Sequence, residues 1–277
     1  MLKSEWSSNN LYQKIKSKTL NHRYNILYHG HGSIFDALVM DMTDDRFLFI
    51  KHQNNSTILD INYNFTALNS VFVNAEQIDN IFNTNTDLLI FNHDDLSKTK
   101  REDLLILQKN INNVHVINFN RRSDGYVSNA INCNYAIPEY RKDSPKTKDL
   151  LIFNLENNNM VNNIASSLQQ KGINVNIVKS ITLDIKSIFD AISPYKAILD
   201  FSSRLNVLCG LSCGCNIITN MNLNNYPEKD LITNFKTYDD IYRCVVSCLS
   251  KPAPSTSIIQ EYYSVNNFNS ILQEISK

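Results

Sequence analysis

Four short segments hold the side chains from which a reaction could be built. His29-Gly30-His31-Gly32 follows directly on the apolar run Tyr24 to Tyr28. Glycines at this spacing let backbone amides approach a ligand, and a histidine close to its ordinary pKa either binds phosphate or takes a hydroxyl proton. The G-x-G-x-x-G dinucleotide pattern fails, because Phe35 stands at its last position. His93-Asp94-Asp95 follows the run Asp87 to Asn92 and offers a general base with an adjacent carboxylate; Asp94, Asp95 or Ser97 can equally cap a helix starting near Lys98. Arg121 and Arg122, after Val114 to Asn118, either contact a phosphate-bearing ligand or stay solvated. Ser202, Ser203, Arg204 and Asn206 sit where a strand gives way to a helix, so hydroxyls, an amide and a guanidinium converge on one place suited to an anion. Arg204 can instead be a surface arginine on the first turn of that helix.

These segments need elements to hold them. Short β-rich apolar runs alternate with amphipathic stretches, the pattern of a parallel sheet flanked by helices. In the first half, strands are expected at Tyr24–Tyr28, Arg46–Lys51, Ser70–Val73, Asp87–Asn92 and Val114–Asn118. Helices are expected from Ser33, as cap, to Met42, at Ala75–Phe82 and at Lys98–Asn110. Ile137 to Pro145, with two prolines and mixed charge, reads as a linker. The second half repeats the scheme, with strands at Asp149–Phe153, Asn174–Val178, Lys196–Asp200 and Cys215–Thr219. Its helices are expected at Met160–Gln170, ended by Gly172, at Asp184–Ile192 and at Arg204–Ser212, with Gly214 making the turn into the next strand. Two further helices, Tyr238–Leu249 and Ser257–Ile275, close the chain. The expectation is therefore an α/β protein of two Rossmann-like domains, residues 1–140 and 141–277, facing a cleft, with C-terminal helices. In such sheets ligands lie at the carboxyl ends of the strands, which is where all four segments fall, together with Asn154 after Phe153.

Charge narrows the partners. The 277 residues carry 27 Lys+Arg against 27 Asp+Glu. Residues 1–147 hold 16 of each sign and residues 148–277 hold 11 of each. Neither half is a polycation, so anion binding must come from a few charges at strand ends or from the basic window containing Lys14, Lys16, Lys18 and Arg23. The six cysteines do not form the C-x2-C pairs of zinc sites and read as buried packing residues; no metal is expected. No apolar run is long enough to cross a membrane, and the chain reads as cytoplasmic.

The segment Ala197 to Asn220, AILDFSSRLNVLCGLSCGCNIITN, resembles the donor-site segment of GT-B glycosyltransferases. In that family a strand, a Ser/Arg loop and a helix ending in an EALACGCPVI-like run enter the next strand, and Gly210 to Ile218 matches that shape. The resemblance implies a nucleotide-sugar donor, as substrate and without further cofactor, held by Ser202, Ser203, Arg204, Asn206 and Asn154. It implies an acceptor on the first domain, with His93, Asp94 or His31 removing the acceptor proton. His29, Gly30, Gly32, Arg121 and Arg122 would lie near phosphate or acceptor. The adjacent Asp94 and Asp95 do not have the DxD spacing of metal-dependent GT-A enzymes. The acceptor is a saccharide or, for a phage-encoded enzyme acting in the host cytoplasm, a hydroxymethylated base in DNA. Many retaining members carry two glutamates spaced E-x7-E where this chain has Phe201 and Cys209, so donor sugar and stereochemical course do not carry over. A non-catalytic module that binds a nucleotide or nucleotide sugar on the same fold is the alternative.

Overall fold

The computed structural model describes residues 21–30, 34–42, 46–51, 63–69, 87–92, 102, 113–119, 130–138, 140, 145–154, 157–179, 184–201 and 203–277. Its contacts divide the chain into unit 1, Met1–Asn134 with Phe268–Lys277, and unit 2, Tyr135–Asn267. The expected helices at 75–82 and 98–110, the strand at 70–73 and the cap Ser33 lie outside the described residues.

Unit 1 is a six-stranded parallel sheet of β1 (Tyr24–His29), β2 (Phe47–Lys51), β3 (Phe65–Asn69), β4 (Asp87–Asn92), β5 (Val114–Asn118) and β6 (Ile131–Asn132). The order is β2-β1-β3-β4-β5-β6, with every pairing parallel. Near-continuous burial along Leu88–Asn92 and Val116–Asn118 marks central strands covered on both faces. Helix α1 (Ile34–Asp41) leads from β1 towards β2. The third strand, Phe65–Asn69, was not expected from sequence, and neither was the two-residue β6, which has no periodicity to show.

Unit 2 repeats the design with β7 (Lys148–Phe153), β8 (Val175–Val178), β9 (Tyr195–Asp200), β10 (Asn216–Thr219) and β11 (Ile232–Asn234), in the order β11-β10-β9-β7-β8 and again all parallel. Its helices are α2 (Asn159–Gln170), α3 (Ile185–Ile192), α4 (Arg204–Ser212), α5 (Ile241–Ser250) and α6 (Ser257–Tyr262). Leu150, Ile152, Ala197, Leu199 and Ile218 of the sheet pack with Val161, Ala165 and Leu168 of α2 and with Ile241, Val245 and Cys248 of α5 into one core. Helix α4 is buried on all sides from Leu205 to Ser212, which is why its sequence shows no amphipathic stripe. Helices α2 and α4 both end in Schellman turns. Gly172 (φ +85°) and Gly214 (φ +67°) take the left-handed position, while Ile173 and Cys215 donate back to Leu168 and Gly210 at 3.1 and 2.9 Å.

Two expectations fail in unit 2. Of the linker expected over Ile137 to Pro145, Ile137 and Pro138 are not free, and residues 139 and 141–144 lie outside the described residues. Tyr135, Ala136 and Ile137 are buried, the Ile137 amide donates to the Tyr263 carbonyl at 2.8 Å, and the Ser212 hydroxyl donates to the Pro138 carbonyl at 2.9 Å. The helix expected over Ser257–Ile275 is broken into α6 and α7 (Val265–Ile275), because Tyr263 turns into the core with none of its surface exposed and Ser264 restarts the helix by capping Asn266. From Phe268 onward α7 counts with unit 1, where the Phe268 ring packs 5.8 Å from Phe91 and 5.7 Å from Phe119.

Candidate functional sites of the two units

In a doubly wound sheet the crevice for a ligand opens where the strand order reverses, outside the carboxyl ends of the two strands that flank the reversal. Both units reverse at the corresponding place. In unit 2 the reversal lies between β7 and β9, so the chain leaving Phe153 and the chain leaving Asp200 frame it. In unit 1 it lies between β1 and β3, at His29 and Asn69. The sequence-expected residues Asn154, Ser203, Arg204 and Asn206 fall at the first, and His29 and Gly30 at the second.

Asn154 is buried and organises the β7–α2 loop. Its Oδ1 accepts from the Asn158 amide at 2.7 Å, and its Nδ2 donates to the Asn158 carbonyl and to Asn162 Oδ1, each at 3.1 Å. Asn157 adopts φ +52°, and Asn158 caps α2 by accepting from Met160 at 2.9 Å. The first turn of α2 carries no acid.

The β9–α4 junction is organised by a residue that the sequence reading passed over. Asp200, fully buried at the end of β9, accepts from the Ser203 amide at 2.9 Å and from Asn206 Nδ2 at 2.8 Å, while Ser203 Oγ accepts from the Leu205 amide at 3.2 Å. A carboxylate already meets the positive end of α4, and the donors of Ser203 and Asn206 that serve it are internal. Ser202 lies outside the described residues.

Arg204 also turns inward. Nε donates to Glu228 Oε1 at 2.7 Å, Nη2 to the Tyr263 hydroxyl at 2.6 Å, and the Tyr263 hydroxyl donates to Glu228 Oε2. The guanidinium stacks 3.7 Å from the Tyr226 ring centroid, with Tyr135 and Tyr263 at 5.8 and 5.4 Å. Only 10% of the Arg204 side chain and none of the Glu228 side chain is exposed, and Nη1 is buried without a hydrogen-bond partner. Burial alone would lower the Arg204 pKa; Glu228 outweighs it and holds the charge above its ordinary range. Burial pushes the Tyr263 hydroxyl up. Glu228 sits on a short 3-10 turn, Pro227–Leu231, whose pairing with a residue 24 positions away leaves no local trace in sequence.

At the unit 1 reversal, β1 alternates so that Ile26 and Tyr28 are buried on one face. The Tyr28 hydroxyl donates to Asp36 Oδ1 at 2.5 Å, and Asp36, in the first turn of α1, is only 1% exposed. Gly30 sits against this pair: a Cβ there would come within 2.6 Å of Asp36 Cγ and 2.7 Å of Tyr28 Cε1. Further along the same edge an amide ladder ties three strand ends, Asn92 Nδ2 to Asn118 Oδ1 and Asn118 Nδ2 to Asn132 Oδ1, each at 3.1 Å. His31, Gly32, His93, Asp94, Arg121 and Arg122 lie outside the described residues.

The two positions of the missing E-x7-E pair offer no replacement carboxylate. Phe201 packs 5.7 Å from Phe235, and Cys209 is fully buried, its thiol pushed up to about 12 by burial. Cys133, Cys213, Cys215 and Cys248 are buried as well, as packing residues, and Cys244 is partly exposed. A groove of about 370 Å³ runs along α2 past Met160, Ile164, Lys171, Tyr238 and Tyr242, and none of the sequence-expected residues lines it. Among the described residues no helix is long and apolar enough to cross a membrane.

No protein-family model and no curated protein matches the chain. Among solved structures it is similar to sucrose-phosphate synthase from Thermosynechococcus elongatus, with a TM-score of 0.57 and 9% identity over 91% of this chain and 99% of that one. It is similar also to spinosyn forosaminyltransferase SpnP, with a TM-score of 0.51 and 8% identity over 91% of this chain and 99% of that one. At such identities the likeness concerns the fold, and it agrees with the two parallel sheets and their shared strand order: the chain has the GT-B fold, two Rossmann-like α/β domains with C-terminal helices.

Proposed function

We propose that the protein is a glycosyltransferase that moves a sugar from a nucleotide-sugar donor to an acceptor hydroxyl. The observation that carries this reading is the doubled architecture of the GT-B fold, in which each unit reverses its strand order beside residues chosen from sequence for their chemistry: Asn154 and Arg204 in unit 2, His29 and Gly30 in unit 1. In this reading unit 2 takes the donor. Asn154 shapes the loop at the reversal, the amino terminus of α2, capped only by the neutral Asn158, faces the diphosphate, and Arg204 contributes through Nη1, its one unpartnered nitrogen. Ser202, Ser203 and Asn206 complete the β9–α4 side, the last two by keeping Asp200 in place. Unit 1 takes the acceptor, a saccharide or a hydroxymethylated base in DNA, with His31, His93 or Asp94 as proton acceptor and Arg121 and Arg122 as contacts to a phosphate-bearing acceptor.

One feature favours the second reading, a module that binds a nucleotide or nucleotide sugar without turning it over. Glu228 neutralises Arg204, and Asp200 adds a further negative charge at the same junction, so a leaving diphosphate finds less positive charge than its transition state demands. A panel of UDP-, GDP- and dTDP-sugars separates the two. Release of the nucleotide, by water or with an added acceptor, supports transfer; saturable binding with no release in any combination supports the module and rejects the enzyme. A gel shift on modified and unmodified duplex DNA over a range of salt tests the DNA acceptor, which requires binding at low salt.

A further inference from the structure

Helix α2 carries polar side chains of two kinds. Asn162, Ser166 and Gln169 are committed within the chain: Asn162 Oδ1 accepts from Asn154 Nδ2, the Ser166 hydroxyl donates to the Asn162 carbonyl at 3.0 Å, and Gln169 Nε2 donates to the Val175 carbonyl at 3.1 Å. Asn163 and Ser167 are not. With Met160, Ile164 and Lys171 they recur at helical spacing along one stripe, and that stripe forms one wall of the groove of about 370 Å³. The other wall is made by Tyr238 and Asp239 of a short 3-10 turn, Tyr238–Asp240, and by Tyr242 of α5. The same division holds there: Asp240 is held by Thr237 and Arg243, whereas Asp239 beside it lines the groove. Among the described residues, Asn163, Ser167, Tyr238, Asp239 and Tyr242 make no side-chain hydrogen bond, and Lys171 meets only the Tyr242 ring, its Nζ 4.5 Å from the centroid.

We propose that this groove is a saccharide-binding site, taking a short run of uncharged sugar rings. Its polar groups work in both directions: Asn163 and the three hydroxyls donate and accept, Asp239 accepts and Lys171 donates. Sugar hydroxyls also do both, so they pair with such a lining without stranding either side, and no internal hydrogen bond has to break first. The apolar part is Ile164, Met160 at 37% exposure and the Tyr238 ring at 51%, surfaces suited to the C–H faces of sugar rings. One cation and one anion leave the lining without net charge, which disfavours a phosphate or a polyanion. The volume lies at the lower end of the about 300–1,000 Å³ typical of small-ligand sites. Both walls are fixed, because α2 and α5 pack into the core of unit 2. None of the residues framing the strand-order reversal lines the groove, and the proposal does not rest on the transferase reading.

Neutral tetrasaccharides are the probe: α-linked glucose, β-linked glucose, β-linked N-acetylglucosamine and α-linked mannose, each titrated into the full-length protein without nucleotide. At least one should bind saturably and slow amide hydrogen exchange within 160–171 and 238–242. Tyr238→Ala removes a half-exposed ring, so it should weaken that binding at least about tenfold and leave the melting temperature unchanged, while Tyr238→Phe keeps most of the affinity. Val246→Ala, on α5 but outside the groove, should change nothing. Failure of all four sugars to bind overturns the proposal. So does binding that Tyr238→Ala leaves intact, or binding that a nucleotide sugar displaces, because the saccharide would then lie at a strand-order reversal. A sulfated tetrasaccharide that binds more tightly than its neutral parent overturns it too, since Lys171 would then be an anion contact. If Tyr238→Ala instead dissolves a dimer seen by sedimentation, the groove is a contact between copies and the proposal fails. Failure of the transferase reading shows separately, as absence of nucleotide release, and leaves the sugar titration to be read as stated.

Discussion

Arg204 shows how far a residue type in a local context can be read. Its place at a strand-to-helix junction was legible, whereas the sequence left a surface arginine on the first helical turn equally open, and burial of the side chain decides against it. Its partners were not legible, because Glu228 and Tyr263 lie 24 and 59 positions away and reach it only through the fold. A buried ion pair contributes little relative to well-packed apolar residues, but removing one partner strands the other charge. Glu228→Gln should therefore cost about 3–5 kcal/mol in denaturant unfolding, and Arg204→Met a comparable amount. The double variant should cost less than the sum of the two, and simple additivity in the cycle would show that the pair is not coupled. Asp200 and Asp36 teach the same lesson in a milder form. An acid ending a strand three residues before a helix, and an acid in a first helical turn, are visible in sequence as helix-start signals, and their burial is what turns them into parts of a site.

At the scale of elements the sequence was most informative where a strand or helix is long or ends in glycine. Asp87–Asn92, Val114–Asn118 and Arg204–Ser212 stand in the structure with the bounds their composition suggests. The misses, β3, β6, β11 and the break at Tyr263, are short elements or places where tertiary packing outweighs local preference. Two glycines, one inside α4 and one just past its end, separate packing from backbone conformation. A Cβ at Gly210 would meet Ile198 Cδ1 at 2.5 Å and Ile217 Cδ1 at 2.7 Å, so Gly210→Ala should cost about 1–3 kcal/mol by overpacking. Ile198→Val, which deletes one of the two methyls, should recover part of that loss. At Gly214 there is space but φ is +67°, so Gly214→Ala should cost about 1 kcal/mol, and Ile198→Val should recover none of it. The cap of α3 gives a pH dependence. Asp184 accepts from the Ser187 hydroxyl and, at 2.9 Å, from its amide, and these bonds hold its carboxyl below the ordinary 3.8. A lowered folded-state pKa means that the cap's contribution is whole above the unfolded value and is lost as pH falls through the folded one. Asp184→Asn should therefore flatten the acid limb of the stability profile, as read by urea midpoints between neutral pH and pH below the carboxyl range.

For the whole molecule, the even charge balance and the shared strand order lead to one further expectation. Because unit 1 carries 14 Lys+Arg against 15 Asp+Glu and unit 2 carries 13 against 12, neither unit attracts a donor by a broad positive field, and binding has to arise at the strand-order reversals themselves. The two reversals differ in the acids beside them. Unit 1 has the buried Asp36 in the first turn of α1, against Gly30; in unit 2 the β7–α2 side has a first turn without acid and a network of neutral amides around Asn154. A nucleotide-sugar donor should therefore raise the melting temperature and slow amide hydrogen exchange around 154–162 and 203–206, leaving 24–41 at its unliganded rate. At a hundredfold excess over its Kd such a ligand stabilises the native state by about 2.7 kcal/mol, enough to show as a clear shift in a thermal scan. The locus of protection carries the argument, because stabilisation alone follows from binding anywhere. Protection centred on 24–41 would exchange the roles of the two units. With donor bound to unit 2, a neutral acceptor added second should slow exchange at 29–30, so that the order in which the two edges become protected reports which substrate each one holds.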